Sequence, residues 1–165
     1  MRFPSVPGLR PTPDRVRETL YNWLGQDLTG RATLDAFTGS GVLTLEALSR
    51  GARLAVAVDR NPAVVRALVK TATLFGAQGL EAHCEDALAF LSREARQYDV
   101  IFLDPPFHEP MDSRLLSLAI ARLATGGAVY IEAPDPVDAP TGFTVSRRDK
   151  AGRVHYHLLR RIEDR

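Results

Sequence analysis

The chain reads as an α/β domain, a mostly parallel β-sheet with helices on both faces and an antiparallel hairpin at its end. Short apolar runs alternate with amphipathic stretches along most of its length, the order that builds right-handed crossovers onto a parallel sheet. Leu54–Val58 is continuously apolar, as expected of a strand buried on both faces. Two strand-like segments, Phe143–Arg148 and Arg153–Leu159, then follow one another through Lys150-Ala151-Gly152, which predicts the hairpin. With 165 residues, 45% of them hydrophobic and 25% charged, the composition is that of one globular domain able to bury about two-thirds of its unfolded surface. We expect a single domain, with residues 1–31 as a basic segment and helix and 32–165 as the core.

Taken in order, Thr12-Pro13-Asp14 supplies an N-cap, a proline at the first helical position and an acid in the first turn. Val16, Leu20, Trp23 and Leu24 then share one helical face. Ala32–Phe37 is the first strand, and Gly39-Ser40-Gly41 turns the chain into a helix that carries Val42, Leu45 and Leu48 and stops at Gly51. Leu54–Val58 is the second strand, followed by a helix over Pro62–Phe75 that ends at Gly76. Leu80–Cys84 is a weaker strand and Ala87–Arg96 a helix. Val100–Leu103 is a strongly apolar strand, Ser113–Leu123 a helix and Ala128–Glu132 a strand. Pro134–Pro140 reads as a surface loop. His155 and His157 alternate with apolar neighbours and are expected on one face of an edge strand, and Cys84 is expected to face the core.

In an open parallel sheet, ligands bind beyond the carboxyl ends of the strands, and the chemically informative residues fall there. Asp35-Ala36-Phe37-Thr38-Gly39-Ser40-Gly41 follows the first strand, with glycines that let a ligand approach the backbone. A third glycine of a dinucleotide fingerprint would fall at position 44, which is Thr44, so a pyrophosphate on this turn is disfavoured. Asp59 closes the second strand, where a carboxylate can accept both hydroxyls of a ribose. Asp86 closes the third, where it can accept from an adenine amino group or simply cap the next helix. Asp104-Pro105-Pro106-Phe107 directly follows the apolar Val100–Leu103 run. Two prolines stiffen this turn, holding the Asp104 carboxylate and the Pro105 carbonyl as fixed acceptors beside an aromatic ring. That arrangement suits a planar amine, such as a nucleobase amine whose lone pair is delocalised into the ring, with Phe107 stacking on the extruded base.

Asp35-Ala-Phe-Thr-Gly-Ser-Gly with Asp104-Pro-Pro-Phe resembles the class I S-adenosylmethionine-dependent amino-methyltransferases. The stretch from Leu9 to Leu20, with Asn22-Trp23-Leu24 and Leu45–Gly51, narrows the resemblance to the RsmD-like family, which methylates N2 of a guanine in 16S ribosomal RNA. The resemblance implies a Rossmann-like methyltransferase fold with a seven-stranded, mostly parallel sheet. It implies S-adenosyl-L-methionine as cofactor, held by Asp35, Phe37, Gly39, Ser40 and Gly41 at its methionine end, by Asp59 with Arg60 at the ribose and by Asp86 with Ala87 at the adenine. It implies Asp104, Pro105 and Phe107 as the catalytic set, and Arg10, Thr12, Arg15, Arg17 and Pro106 on the substrate side. The chemistry is in-line attack of the amine on the sulfonium methyl, and no metal is implied. Family members begin with a basic, Gly-containing strand segment, whereas only Met1–Pro7 precedes Gly8 here.

The net charge of +1 conceals an uneven distribution, with 21 Lys and Arg against 20 Asp and Glu. Five arginines and three acids lie in residues 1–31, and seven basic residues and three acids in 143–165, so both ends are basic. Lys70 and Lys150 are the only lysines, and arginine is the better fork for phosphate. Arg147, Arg148, Arg153, Arg160 and Arg161 form a second candidate phosphate surface. The expected partner is therefore 16S rRNA in a small ribosomal subunit or its assembly intermediate, with the protein monomeric. A single cysteine and no charged-then-apolar leader suggest a cytoplasmic chain, and no apolar run reaches the roughly 20 residues of a membrane helix. An Asp-Pro-Pro-Phe pocket also suits adenine in DNA or a protein glutamine, and a non-catalytic RNA-binding module is the alternative from another class.

Overall fold

The computed structural model describes residues 14–106 and 112–163. Helix α1 (Asp14–Leu24) precedes β1 (Ala32–Asp35), and the chain then runs α2 (Val42–Ser49), β2 (Leu54–Asp59), α3 (Pro62–Leu74), β3 (Leu80–Cys84), α4 (Ala87–Arg93) and β4 (Tyr98–Leu103). It ends with α5 (Ser113–Ala121), β5 (Leu123–Ala133), β6 (Phe143–Ala151) and β7 (Val154–Arg161). The strands form one seven-stranded sheet in the order β3-β2-β1-β4-β5-β7-β6. β1 to β5 pair in parallel, and β7 runs antiparallel to both β5 and β6. The strand order switches direction between β1 and β4, so a crevice at their carboxyl ends is where this topology binds ligands.

Core packing shows which helices cover which face. On one face Val16, Leu20 and Tyr21 of α1 and Val42, Leu43 and Ala47 of α2 pack on Val100, Phe102, Ala128, Tyr130, Tyr156 and Leu158. Leu68 and Ala72 of α3 join Leu45 and Ala57 on the same side. The opposite face buries Leu34, Ile101, Leu103, Val129 and Ile131 against Phe90 and Leu91 of α4 and Leu115 and Ala119 of α5. Apolar residues on both faces explain why the central strands read as continuous apolar runs.

Several boundaries differ from the sequence reading, each for a local reason. The α4 helix stops at Arg93 because Glu94 is extended and its carboxylate accepts from the Ala95 and Arg96 amides and the Tyr98 hydroxyl. Leu123 belongs to β5 rather than α5, pairing with Tyr98 ahead of an irregularity through which the register resumes at Val100 and Ala128. The first strand ends at Asp35 because the Thr38 amide turns away to donate to the Val58 carbonyl at 2.9 Å. β7 is an inner strand, with β6 outside it, which corrects the placing of the histidines on an edge. His157 is fully buried, its Nδ1 3.2 Å from the Ile131 carbonyl and its Nε2 accepting from the Val137 amide at 3.1 Å. Nε2 thereby holds the 134–140 loop, and Nδ1 fixes the ring against β5. Cys84 is exposed rather than core-facing.

Candidate active site

The turn after β1 is built around Asp35. Its side chain is 2% exposed, and Oδ2 accepts from the Thr44 hydroxyl at 3.1 Å, which lies 3.1 Å from the Thr38 hydroxyl. Oδ1 is buried with no hydrogen-bond partner among the described residues. Burial, with a smaller contribution from Asp59, raises the carboxyl pKa to about 7 against the pull of its hydrogen bonds. Thr44, which sits where a dinucleotide turn would have glycine, thus acts by holding this carboxyl. Gly41 caps α2 at φ 80°, with no side-chain cap, and a β-carbon there would meet Leu68 Cδ1 at 2.5 Å. The tight, left-handed turn therefore requires glycine.

Asp59 ties this turn to the next. Its Oδ2 accepts from the Gly39 amide at 3.1 Å and its Oδ1 from the Asn61 amide at 2.9 Å, so the two loops after β1 and β2 share one carboxylate. Each oxygen keeps a lone pair for a ligand hydroxyl. Arg60 is exposed beside it. Asp86 is exposed and caps α4, accepting from the Ala89 amide at 3.1 Å, while Ala87 is buried under it. Phe37 packs against the core beneath the opposite face, away from the face that bears Asp35, and Ser40 is half-buried.

Asp104 follows β4, in register with the end of β5. Leu103 pairs with Ile131, so the next rung sets Asp104 beside Glu132, a residue the sequence reading passed over. Glu132 is 5% exposed and accepts from the Tyr130 hydroxyl. The Asp104 carboxyl is pushed well above the usual carboxylate range by burial, then by Glu132, with Asp35 adding to it. Burial and Glu132 likewise hold the Tyr130 hydroxyl protonated. Because Phe102 pairs with both Asp35 and Tyr130, Asp35, Asp104 and Glu132 share the sheet face that α1 covers. Tyr156, opposite Glu132 on β7, extends the row and stacks on Trp23 of α1 at 5.5 Å. The signal for Glu132 was available, since it is a lone carboxylate closing an apolar strand, as Asp59 does.

Pro105 is half-buried and Pro106 exposed. Phe107, Arg10 and Thr12 lie outside the described residues. Arg15 is exposed, and Arg17 pairs with Asp14 at 3.1 Å. The arginines of the last two strands divide. Arg160 donates to the Gly126 carbonyl and Arg161 to the carbonyls of Ile120, Leu123 and Ala124, which makes them structural. Arg147, Arg148, Lys150 and Arg153 are exposed.

The arrangement suits a ligand that bears N–H groups or a positive charge. The Asp35 oxygen is a buried acceptor without a partner among the described residues, the glycine turn admits close approach, and Asp59 and Asp86 stand at successive strand ends. Nothing in this set favours a phosphate.

Comparison with known proteins identifies the family and the fold. The family model described as Conserved hypothetical protein 95 matches residues 1–160. Ribosomal RNA small subunit methyltransferase D of Escherichia coli (strain K12) is 36% identical over 163 residues, covering 96% of this chain and 82% of its own length. The protein of the same name from Haemophilus influenzae is 35% identical, covering 92% and 82%. The solved structure of yhhF from Escherichia coli superposes with a TM-score of 0.86 at 36% identity, covering 95% of this chain and 90% of that one. A ribosomal protein L11 methylase from Lactobacillus delbrueckii shares the fold, with a TM-score of 0.71 at 20% identity, covering 95% and 83%. A class I methyltransferase fold, a match spanning nearly the whole chain and relatives above one-third identity place this chain in the RsmD family, that of ribosomal RNA small subunit methyltransferase D.

Proposed function

We propose that this protein transfers a methyl group from S-adenosyl-L-methionine to the exocyclic N2 amine of a guanine in 16S ribosomal RNA of the small subunit. The observation that carries the reading is the juxtaposition at the switch point. The glycine turn and buried Asp35 follow β1, and the rigid Asp104-Pro105-Pro106 acceptor follows the neighbouring strand β4. The names of the relatives supply the RNA class.

In this reading Asp35, Gly39 and Gly41 hold the methionine end of the cofactor, Asp59 the ribose and Asp86 the adenine. Bound there, the cofactor supplies an electrophilic sulfonium methyl, so the protein's task is mostly alignment. Asp104 and the Pro105 carbonyl accept the N–H groups of the guanine amine, fixing its lone pair toward the donor and raising its electron density. Phe107 stacks on the base. Exposed Arg15 and the basic hairpin tip supply phosphate contacts.

The test incubates the protein with methyl-labelled S-adenosylmethionine and small subunits lacking the modification, then digests the RNA to nucleosides for mass spectrometry. Labelled N2-methylguanosine is the expected product. Label in N6-methyladenosine, or in protein glutamine, would move the reading to another planar amine. Cofactor binding with no labelled product would support a module without turnover.

A further inference from the structure

The row of buried carboxyls holds one member that the proposed reaction has not used. Glu132 is 5% exposed, is preceded by the apolar run Ala128–Ile131, and lies one rung beyond the Leu103–Ile131 pair, beside Asp104. The register therefore sets the two carboxyls side by side on one face of the sheet. One Glu132 oxygen is engaged, because the Tyr130 hydroxyl donates to Oε1. Two carboxylates side by side in a buried site cannot both remain ionised, since the like charges repel and little water screens them.

We propose that Asp104 and Glu132 hold one proton between them. Glu132 is the positioning residue that holds one Asp104 oxygen through this shared proton, and the other Asp104 oxygen accepts the substrate amine. The inference rests on the reading of Asp104 as the amine acceptor. The Tyr130 hydroxyl donates to Glu132, the shared proton joins Glu132 to Asp104, and the amine donates to the remaining Asp104 oxygen.

The same pair disposes of the proton that the reaction must release. The amine lone pair forms the new C–N bond while the electron pair of the breaking C–S bond stays on sulfur, leaving the nitrogen positively charged with one proton too many. That proton passes to the free Asp104 oxygen, giving a neutral N-methyl amine and a pair that holds two protons. One of these returns to water after the product leaves, through Asp104, the more exposed of the two.

The surroundings keep the pair near a single negative charge. Asp35 faces it from β1, with Asp59 beyond on β2. Tyr130 faces it from β5, and Tyr156 from β7, with Asp149 of β6 and Arg15 of α1 acting on Tyr156. Burial, Glu132 and Asp35 act on Asp104, and among the described residues no cation joins them.

The test compares the parent with Glu132→Gln and Glu132→Ala, using single-turnover methyl transfer across pH and a carboxyl-carbon NMR titration of the ligand-free protein. Glutamine mimics protonated Glu132, since its amide donates to Asp104 and its carbonyl accepts from Tyr130. Glu132→Gln is expected to keep most of the turnover at neutral pH and to lose the alkaline fall that the parent shows as the shared proton leaves. Glu132→Ala leaves Asp104 unoriented and is expected to lower turnover about 100-fold, with cofactor affinity unchanged. In the titration, Asp104 is expected to move down toward the ordinary carboxylate range in Glu132→Gln. An Asp104 titration unmoved by Glu132→Gln, or full turnover in Glu132→Ala, overturns the proposal while leaving the methyltransferase reading intact. A shared proton seen by NMR with no methylated guanine from any variant overturns the substrate reading instead.

Discussion

Each functional side chain sits where its solvation matters most, and Asp35 is the clearest case. Its pKa of about 7 in the folded protein exceeds that of an unfolded aspartate, chiefly through burial. The folded state therefore binds the extra proton between roughly pH 4 and 7. This stability is fully present below the unfolded pKa and is lost as pH rises through the folded value. Asp35→Asn removes the ionisation, and its Oδ1 can still accept from Thr44. The variant is expected to match the parent in urea-unfolding free energy near pH 4 and to exceed it at pH 8 by a few kcal/mol, while binding S-adenosylmethionine more weakly. Equal unfolding free energies at pH 8 would show that the buried carboxyl carries no such cost. Asp59 and Asp104 should separate binding from transfer. Asp59→Ala frees the Gly39 and Asn61 amides and is expected to weaken the cofactor first, whereas Asp104→Ala is expected to abolish transfer with cofactor affinity nearly unchanged, both measurable by calorimetry beside the transfer assay. These positions were legible because a lone acid at the end of an apolar strand stands out in the sequence. Glu132 carried the same mark. Its meaning depends on which strand lies beside it, and strand order is not written in local sequence.

Elements were legible wherever periodicity and capping agree. Asp86 caps α4, as its place before an apolar helical face implies, and Asn61 caps α3. What local sequence misplaced were ends and neighbours. Glu94 stops α4 through side-chain hydrogen bonds that propensity does not encode, and His157 is buried because β6 folds back outside β7, a tertiary fact. Gly41 tests how tightly one element positions the next. At φ 80° any side chain is strained, and its β-carbon would also enter the space of Leu68, a buried residue of α3. Gly152, in the hairpin turn, has φ 60° with nothing within 4 Å, so it isolates the backbone contribution. Gly152→Ala is expected to cost about 1 kcal/mol and Gly41→Ala roughly 2–4 kcal/mol, since overpacking adds to the strain. Urea unfolding of the two variants checks this. Equal losses would mean that Leu68 moves aside freely and that the turn is held by conformation alone.

At the scale of the molecule, the charge asymmetry of the sequence acquires a direction. His155 pairs with Ala133 at the end of β5, so the turn joining β6 to β7 lies at the carboxyl end of the parallel strands, with Asp104 and Glu132. Lys150 and Arg153 are exposed at that tip, and neither makes an ion pair among the described residues. Arg160 and Arg161 sit at the far end and spend their guanidinium groups on backbone carbonyls. Composition alone counts these four cations equally, and only the fold tells a side chain left open to solvent from a structural one. Neutralising a phosphate releases counterions, so each such cation should appear in the salt dependence of RNA binding. The double variant Lys150→Gln, Arg153→Gln is expected to lower the slope of log affinity against log salt by about 0.7–0.9 for each phosphate left without its cation, with thermal stability and cofactor affinity unchanged. Arg161→Gln is expected to do the reverse, lowering stability by about 1–3 kcal/mol through the carbonyls it leaves unpaired while the salt slope stays at the parent value. Filter binding to small subunits over a salt series measures the slopes, and thermal unfolding measures the stability. An unchanged slope in the hairpin variant would take the RNA path away from β6 and β7, leaving the α1 side of the site to bind the phosphates.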